Sequence, residues 1–317
     1  MKRPPLWTTL IPLIAAGAGY FHWWSLQRDA FVGQVAAIVG AGGTGGGFPY
    51  RIETTLTKPD LRFDRVGVVA TLRAEQLQLN RQPLRAGPVI GQMSQPRVTF
   101  GVPAIAGAQL DIEAGAAVSS LRMAAGHIER FSTVFDAARL RLAGFAAPVR
   151  ADSFEVHVRE TPTLATVASS PKFPVQDELV LAATALRYGA GDPVRLAASI
   201  DLTAAKPVRD LERWQAGGTL EVRRFQLADQ SGEILNLEAT GSPARNGDLL
   251  FVGTVETLCP ATVEALFAGR TAARELRARR PIRYSFVGRF GQVKLSPVGV
   301  SRVPVRNQEP PCPVLRR

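Results

Sequence analysis

Cysteine, histidine and nucleophile motifs are scarce in this sequence of 317 residues. It contains 2 Cys and 3 His, and these residues do not show the spacing of zinc ligands. The Gly-x-Ser-x-Gly motif of many serine hydrolases is absent. The sequence therefore predicts no metal, no cofactor and no enzymatic activity, with an unidentified hydrolase as the third functional alternative.

Acidic residues are also in deficit. Lys and Arg number 38 against 27 Asp and Glu, which gives a net charge of +11. Such a charge favours an anionic neighbour, for example a membrane surface, lipopolysaccharide or nucleic acid. The basic residues are scattered along the predicted strands and no recognition motif occurs, so we predict membrane and lipid partners and no nucleic acid.

The N-terminus carries the longest uncharged segment. Residues from Leu6 to Trp24 are largely apolar and follow Lys2 and Arg3. This length is sufficient to cross a bilayer, and the positive-inside rule keeps the N-terminus in the cytoplasm. We therefore predict a transmembrane anchor over residues 1–27 of a single-pass inner-membrane protein with a periplasmic C-terminal domain. Because Ala16-Gly17-Ala18 resembles a cleavage site, a cleaved signal peptide is the alternative.

Residues 28–47 are predicted to form an amphipathic helix and a Gly-rich hinge. The hinge contains Gly40-Ala41-Gly42-Gly43-Thr44-Gly45, which matches the dinucleotide-binding fingerprint. That fingerprint requires a helix N-terminus after the glycines to receive the pyrophosphate. Here an alternating strand pattern follows instead, which argues against a cofactor site.

A strand-start signature follows the glycines. It consists of Gly47, Phe48, Pro49, Tyr50 and Arg51. From this point the sequence alternates, which predicts that Tyr50, Ile52, Thr54 and Leu56 share the dry face of a strand.

Short alternating segments separated by turn residues continue towards the C-terminus and predict many antiparallel strands. The predicted fold class is mainly β with a few helices. An N-terminal transmembrane helix precedes two antiparallel β halves, which form either a curved sheet with a groove or a sandwich. We place the first β half at 48–160, a Pro- and Ser-rich linker at 161–176, the second β half with a helix at 260–279 within 177–300, and a Pro-rich tail at 301–317.

The strictly alternating segments supply candidates for a hydrophobic ligand groove. The apolar members of these segments are Ile52, Leu56, Leu77, Leu79, Leu110, Ile112, Leu140 and Leu142. An ordinary sandwich core is the alternative interpretation for each of them. Cys259 and Cys312 form a disulfide in an oxidising compartment or remain as two free thiols.

Several of these features together resemble the uncharacterised bacterial family catalogued as domain of unknown function 2125 (DUF2125). The residues that carry the resemblance are Gly47 to Arg51, Leu56-Thr57, Pro59, Ala239-Thr240-Gly241, Asn246-Gly247-Asp248-Leu249 and the closing segment Phe290 to Leu295. Phe290 stands where the family pattern has Asp, and Ser296 stands where it has Gly. The layout is also similar to that of AsmA-like and TamB-like envelope proteins, which implies a curved β-sheet that holds lipid acyl chains.

The leading function from the sequence is an anchored periplasmic β protein that binds a hydrophobic ligand, such as lipid, in envelope homeostasis or outer-membrane biogenesis. The alternative is a non-catalytic interaction module that docks an envelope protein through strand edges or a basic helix.

Overall fold

A computed structural model provides the structure of the protein. It describes residues 7–40, 42–65, 67–84, 87–103, 109–124, 127–142, 147–162, 173–208, 214, 217–244, 248–272, 274–289, 292–299 and 310–315. Part of the predicted linker at 161–176 and most of the tail at 301–317 therefore lie outside the described residues.

The first element is a single helix, α1, which spans Trp7–Val39. It runs through the boundary predicted between an anchor and a separate amphipathic helix. Within the described residues, no helix combines the length and the apolarity that crossing a membrane requires. The predicted anchor from Leu6 to Trp24 is therefore not supported, and its Thr, Gly, His, Tyr and Trp residues lower the hydropathy of the segment.

The rest of the described chain is dominated by one antiparallel sheet of 18 strands. The strands are β1 Thr44–Gly46, β2 Ile52–Thr57, β3 Asp60–Arg65, β4 Val68–Arg73, β5 Gln76–Arg81, β6 Val89–Ser94, β7 Arg97–Gly101, β8 Gln109–Glu113, β9 Ala116–Ala124, β10 His127–Leu142, β11 Val149–Glu160, β12 Val175–Tyr188, β13 Val194–Thr203, β14 Thr219–Asp229, β15 Gly232–Pro243, β16 Leu249–Thr257, β17 Ile282–Arg289 and β18 Gln292–Pro297. A second helix, α2, spans Pro260–Phe267.

The sheet is a continuous meander. Each of the first four long strands is divided by a bend into two halves. The halves are β2 and β3, β4 and β5, β6 and β7, and β8 and β9, and each half pairs with a half of the next long strand. Strand β11 pairs with β12 across the predicted linker, so the two predicted β halves belong to one sheet. In the described part of the chain β18 pairs only with β17, and the sheet is curved and open.

A line of bends crosses the first strands of the meander. Lys58, Gln95, Ala137 and Ala185 have positive φ angles of 49°, 48°, 52° and 49°. These residues occur in alternate long strands of the meander, and a left-handed residue interrupts the regular strand geometry and turns the chain. Strands β3, β4, β7 and β8 lie on one side of this line of bends, and we call these four strands the flap.

The C-terminal region differs from the predicted helix at 260–279. Helix α2 ends at Phe267, and Gly269 adopts a φ of 66° just beyond it, a conformation that favours glycine and terminates helices. Arg277, which falls within the predicted helix at 260–279, lies outside α2, is only 4% exposed and forms an ion pair with Asp229 at 2.5 Å. The basic residues after α2 therefore include a buried ion-pair partner.

Candidate functional site: the apolar face of the sheet

One face of the sheet is apolar from β2 to β18. The strand registers place Thr54 opposite Leu79, Leu79 opposite Gly91, and Gly91 opposite Ser119 on this face. The same face continues through the central and final strands with Val156, Leu181, Ala198, Phe225, Leu237, Val255, Tyr284 and Phe286. We call this surface the apolar face and the opposite surface the outer face.

The outer face carries more polar side chains than the apolar face by the same registers. Its residues alternate along the strands with those of the apolar face and include Glu53, Gln78, Gln92, Ser132 and His157. A sheet with one apolar and one polar face buries the first and exposes the second to water.

All the predicted groove residues lie on the apolar face. Ile52, Leu56, Leu77, Ile112 and Leu140 are buried in one hydrophobic cluster, and Leu79, Leu110 and Leu142 pack against it while staying half-buried. The five buried residues are therefore core side chains, and the three half-buried ones lie closer to solvent.

Helix α1 covers the apolar face at its β2 end. Trp24, Phe31 and Val35 are buried in the cluster that also contains Ile52. The guanidinium of Arg81 lies 4.8 Å from the centre of the Phe31 ring, a cation–π distance. This end of the apolar face is thus closed by helix side chains.

The predicted strand-start signature is a turn. Residues 48–50 lie between β1 and β2, the Phe48–Pro49 peptide bond is cis, and Tyr50 is 86% exposed. The prediction that Tyr50 shares the dry face with Ile52 is therefore wrong, because the strand begins two residues later. The signature instead fastens α1, since Tyr20 donates a hydrogen bond to the Pro49 carbonyl at 2.6 Å.

The predicted Gly-rich hinge is likewise an ordered element. Residues Thr44–Gly46 form β1 and pair with β2. A Cβ atom on Gly45 would lie 2.8 Å from the Arg28 side chain and 3.2 Å from that of Val32. Glycine at position 45 therefore lets β1 approach α1 closely. The sequence had instead predicted a flexible hinge here.

Helix α1 extends beyond this contact. Its residues 10–19 are all exposed, and they include Leu10, Ile11, Leu13 and Ile14. An aromatic cluster of Tyr20, Phe21, Trp24 and Phe48 lies where the helix meets the sheet.

Helix α2 and the C-terminal segment cover the last strands. Val263 is buried in the same cluster as Tyr284 and Phe286. The Tyr284 hydroxyl donates to a Glu264 carboxylate oxygen at 2.8 Å, and burial together with this bond raises the pKa of Tyr284 above its ordinary value. The β18 end of the apolar face is therefore also covered by a helix.

A disulfide joins Cys259 and Cys312. The two sulfur atoms and a carboxylate oxygen of Glu275 are potential metal ligands that lie within 4.8 Å of one another. The two sulfur atoms are bonded to each other in the disulfide. The Glu275 carboxylate accepts hydrogen bonds from the backbone N–H groups of Ala261 and Thr262. The group therefore fastens the C-terminal segment to α2.

A serine, a histidine and a glutamate are adjacent on the outer face. The Nδ1 atom of His157 lies 2.9 Å from the Ser132 hydroxyl, and its Nε2 atom lies 3.3 Å from a Glu155 carboxylate oxygen. All three are on β10 and β11, which are interior strands whose backbone N–H groups serve the sheet ladder. The trio therefore includes a contact between side chains of neighbouring strands on one face of the sheet.

Two acidic side chains meet at one end of the apolar face. Asp177 of β12 lies opposite Glu160 of β11. Burial, followed by the charge of Glu160, raises the pKa of Asp177 from 3.8 to about 6.

Comparison with protein families identifies the group to which these features belong. A family model described as "Uncharacterized protein conserved in bacteria (DUF2125)" matches residues 38–256. The chain belongs to this family. The match begins at the end of α1 and ends in β16, so DUF2125 covers β1, the flap and most of the apolar face. The resemblance to DUF2125 is thereby confirmed, while the similarity of layout to AsmA-like and TamB-like proteins is not. No curated protein and no solved structure matches the chain.

Sequence reasoning missed the residues at the tip of the flap. Val68 and Val102 pack against a cluster formed by Ala204, Trp214 and Leu249, far along the chain. Trp214 offered a signal, because a large aromatic residue between predicted strands commonly packs on a sheet. Its partners depend on the bends in the first strands, which the sequence did not predict.

Proposed function

We propose that this DUF2125 protein works at a bacterial membrane and binds the acyl chains of a lipid, such as phospholipid or lipopolysaccharide, on its apolar face. The observation that supports the proposal is the largely apolar face that the strand registers carry from β2 to β18. An apolar sheet surface must be covered by another apolar layer.

Among the described residues, α1 covers the β2 end of this face and α2 covers the β18 end. Val156, Leu181, Phe225 and Leu237, on strands between the ends, are half-buried. Flexible hydrocarbon chains suit such a surface, because hydrophobic association is non-directional and needs no polar partner.

The membrane location is supported by α1 and by charge. Residues 10–19 of α1 expose apolar side chains on every side of the helix, and Leu13, for example, is 68% exposed. Docking into a groove of another protein would cover only one side of this segment. The aromatic cluster at the base of this segment matches the side chains that favour the membrane interface, and the net charge of +11 suits anionic lipid.

A periplasmic location is supported by the disulfide between Cys259 and Cys312. Disulfides persist in oxidising compartments such as the periplasm and are rare in the cytosol.

The test is mass spectrometry of lipids that co-purify with the full chain. A matched pair of variants on β12 isolates the apolar face: Leu181→Arg places a charge on it, and Val180→Arg places the same charge on the outer face. Both positions are half-buried. We expect Leu181→Arg to lower bound lipid by more than about tenfold, because an unpaired charge in an apolar site costs several kcal/mol. Lipid-free wild-type protein, or equal loss in both variants, would refute the proposal.

A protein-interaction module is the second candidate, supported by the edge strand β18. Gln292–Pro297 pairs on one side with β17 and has no strand partner on its other side among the described residues. An open edge can add a strand from another protein. In-cell crosslinking from Lys294 on the outer face of β18 should then trap a protein, and recovery of lipid alone would count against this candidate.

A further inference from the structure

Two rows of side chains on the apolar face run across the flap to β10, and the rows differ in burial. The row next to the bends contains Leu61, Ile112 and Leu140, which are all buried. The next row contains Phe63 and Phe100, each 41% exposed. The row of Phe63 and Phe100 is therefore more accessible to solvent than the row beside it, in which Leu72 and Val98 are half-buried.

The tip of the flap closes against the second part of the meander. Val68 and Val102 at the tip are partly buried against the cluster of Ala204, Trp214 and Leu249. We call this contact the seam. It places the exposed row between a packed corner on one side and the seam on the other.

One side of the seam is firmly held. The Trp214 indole Nε1 donates to the Thr203 carbonyl at 3.0 Å, and the ring lies directly on Gly218. On the other side of the seam, β4 and β7 have no strand pairing with β13 to β16 among the described residues. The seam can therefore open without breaking a backbone hydrogen bond of the sheet.

We propose that one acyl chain binds beneath the flap, against the row of Phe63, Ala70, Phe100, Leu110 and Leu142, and reaches this site through the seam. This inference rests on the proposed function and names where on the apolar face the lipid lies. The row offers no charged side chain, so it suits a hydrocarbon chain whose polar headgroup stays outside. The rings of Phe63 and Phe100, each 41% exposed, present apolar surface that a hydrocarbon chain would remove from water.

The site itself is tested with the fluorescent fatty acid cis-parinaric acid and the full chain. Phe100→Ser removes an exposed apolar side chain from beneath the flap, and Val118→Ser removes one, 48% exposed, from the outer face. We expect a rise in Kd of about tenfold for Phe100→Ser and little change for Val118→Ser, since burying an aromatic ring is worth at least 1.4 kcal/mol.

The access route is tested by the rate at which bound probe passes to acceptor vesicles of phosphatidylcholine. Val68 and Val69 are adjacent and half-buried, and they face opposite sides of β4. We expect Val68→Ser to speed transfer several-fold and Val69→Ser to leave it unchanged.

The outcomes separate the two proposals. Failure of the wild-type chain to bind the probe would overturn the proposed function and this inference together. Binding that Phe100→Ser leaves intact would overturn the site alone, and equal transfer rates for Val68→Ser and Val69→Ser would overturn the route. Circular dichroism confirms that each variant is folded before it is compared.

Discussion

Replacing Asp177 by Asn should stabilise the protein above pH 6 and have little effect in acid. The carboxyl lies at one end of the apolar face between Glu160 of β11 and Leu202 of β13. Burial and the Glu160 charge raise its pKa from 3.8 to about 6. The folded state therefore holds this proton more tightly than the unfolded state, and ionisation destabilises the fold as the pH rises from 3.8 to about 6.

The magnitude follows from the two pKa values. A rise from 3.8 to about 6 corresponds to about 3 kcal/mol for a group shielded from water. Asp177 is only partly buried, so solvent screening reduces this to about 1.5 kcal/mol. An amide has the same size and no charge, and it therefore recovers this free energy at neutral pH.

The assay is urea unfolding of the wild type and of Asp177→Asn at about pH 3.5 and about pH 7.5, values below and above both pKa values. The matched control is Glu178→Gln, which removes a negative charge from the outer face of the same strand. We expect the difference in free energy of unfolding to be about 1.5 kcal/mol at the higher pH and near zero at the lower.

Two results would refute this reasoning. The first is an equal effect of Asp177→Asn at both pH values, which would indicate a change in packing. The second is a matching gain from Glu178→Gln at the higher pH, which would indicate relief of general charge repulsion.

Three further changes test contacts that hold the fold. Replacing Cys259 and Cys312 by Ser should lower the free energy of unfolding by about 4 kcal/mol in urea titrations, because the bond spans 53 residues; dithiothreitol should then affect only the wild type. Asp229→Ala should cost about 3 kcal/mol or more by leaving buried Arg277 unpaired, and the double variant with Arg277→Met should recover much of it. Gly45→Leu should detach α1 from β1 and speed proteolysis of the helix, whereas unchanged protection would contradict the close packing.

Strand alternation was predictable where the chain stays regular. Ile52, Thr54 and Leu56 are all buried, as the period of two predicted. Tyr50 fits the same period, but it lies in the turn at residues 48–50, which precedes β2 and contains Pro49. Periodicity describes which face a residue takes within a strand and does not locate the end of the strand.

The roles of the glycine run and of the basic residues after α2 were less predictable from the sequence. A run of glycines fits a flexible hinge and a tightly packed strand equally, and only the position of Arg28 above Gly45 decides between them. The basic stretch after α2 fits a solvated helix end until Asp229, distant in sequence, supplies a partner for Arg277. In both cases the deciding atoms come from a remote part of the chain.

By itself, the sequence determined that the chain is rich in antiparallel strands with one apolar and one polar face, and it pointed to DUF2125. These properties depend on local alternation and short motifs. Only the tertiary structure decided that the strands form one sheet, that residues with positive φ such as Lys58 and Gln95 interrupt its strands, and that the flap meets Trp214. Bends and closure depend on left-handed backbone conformations and on contacts between distant residues, which no local pattern records.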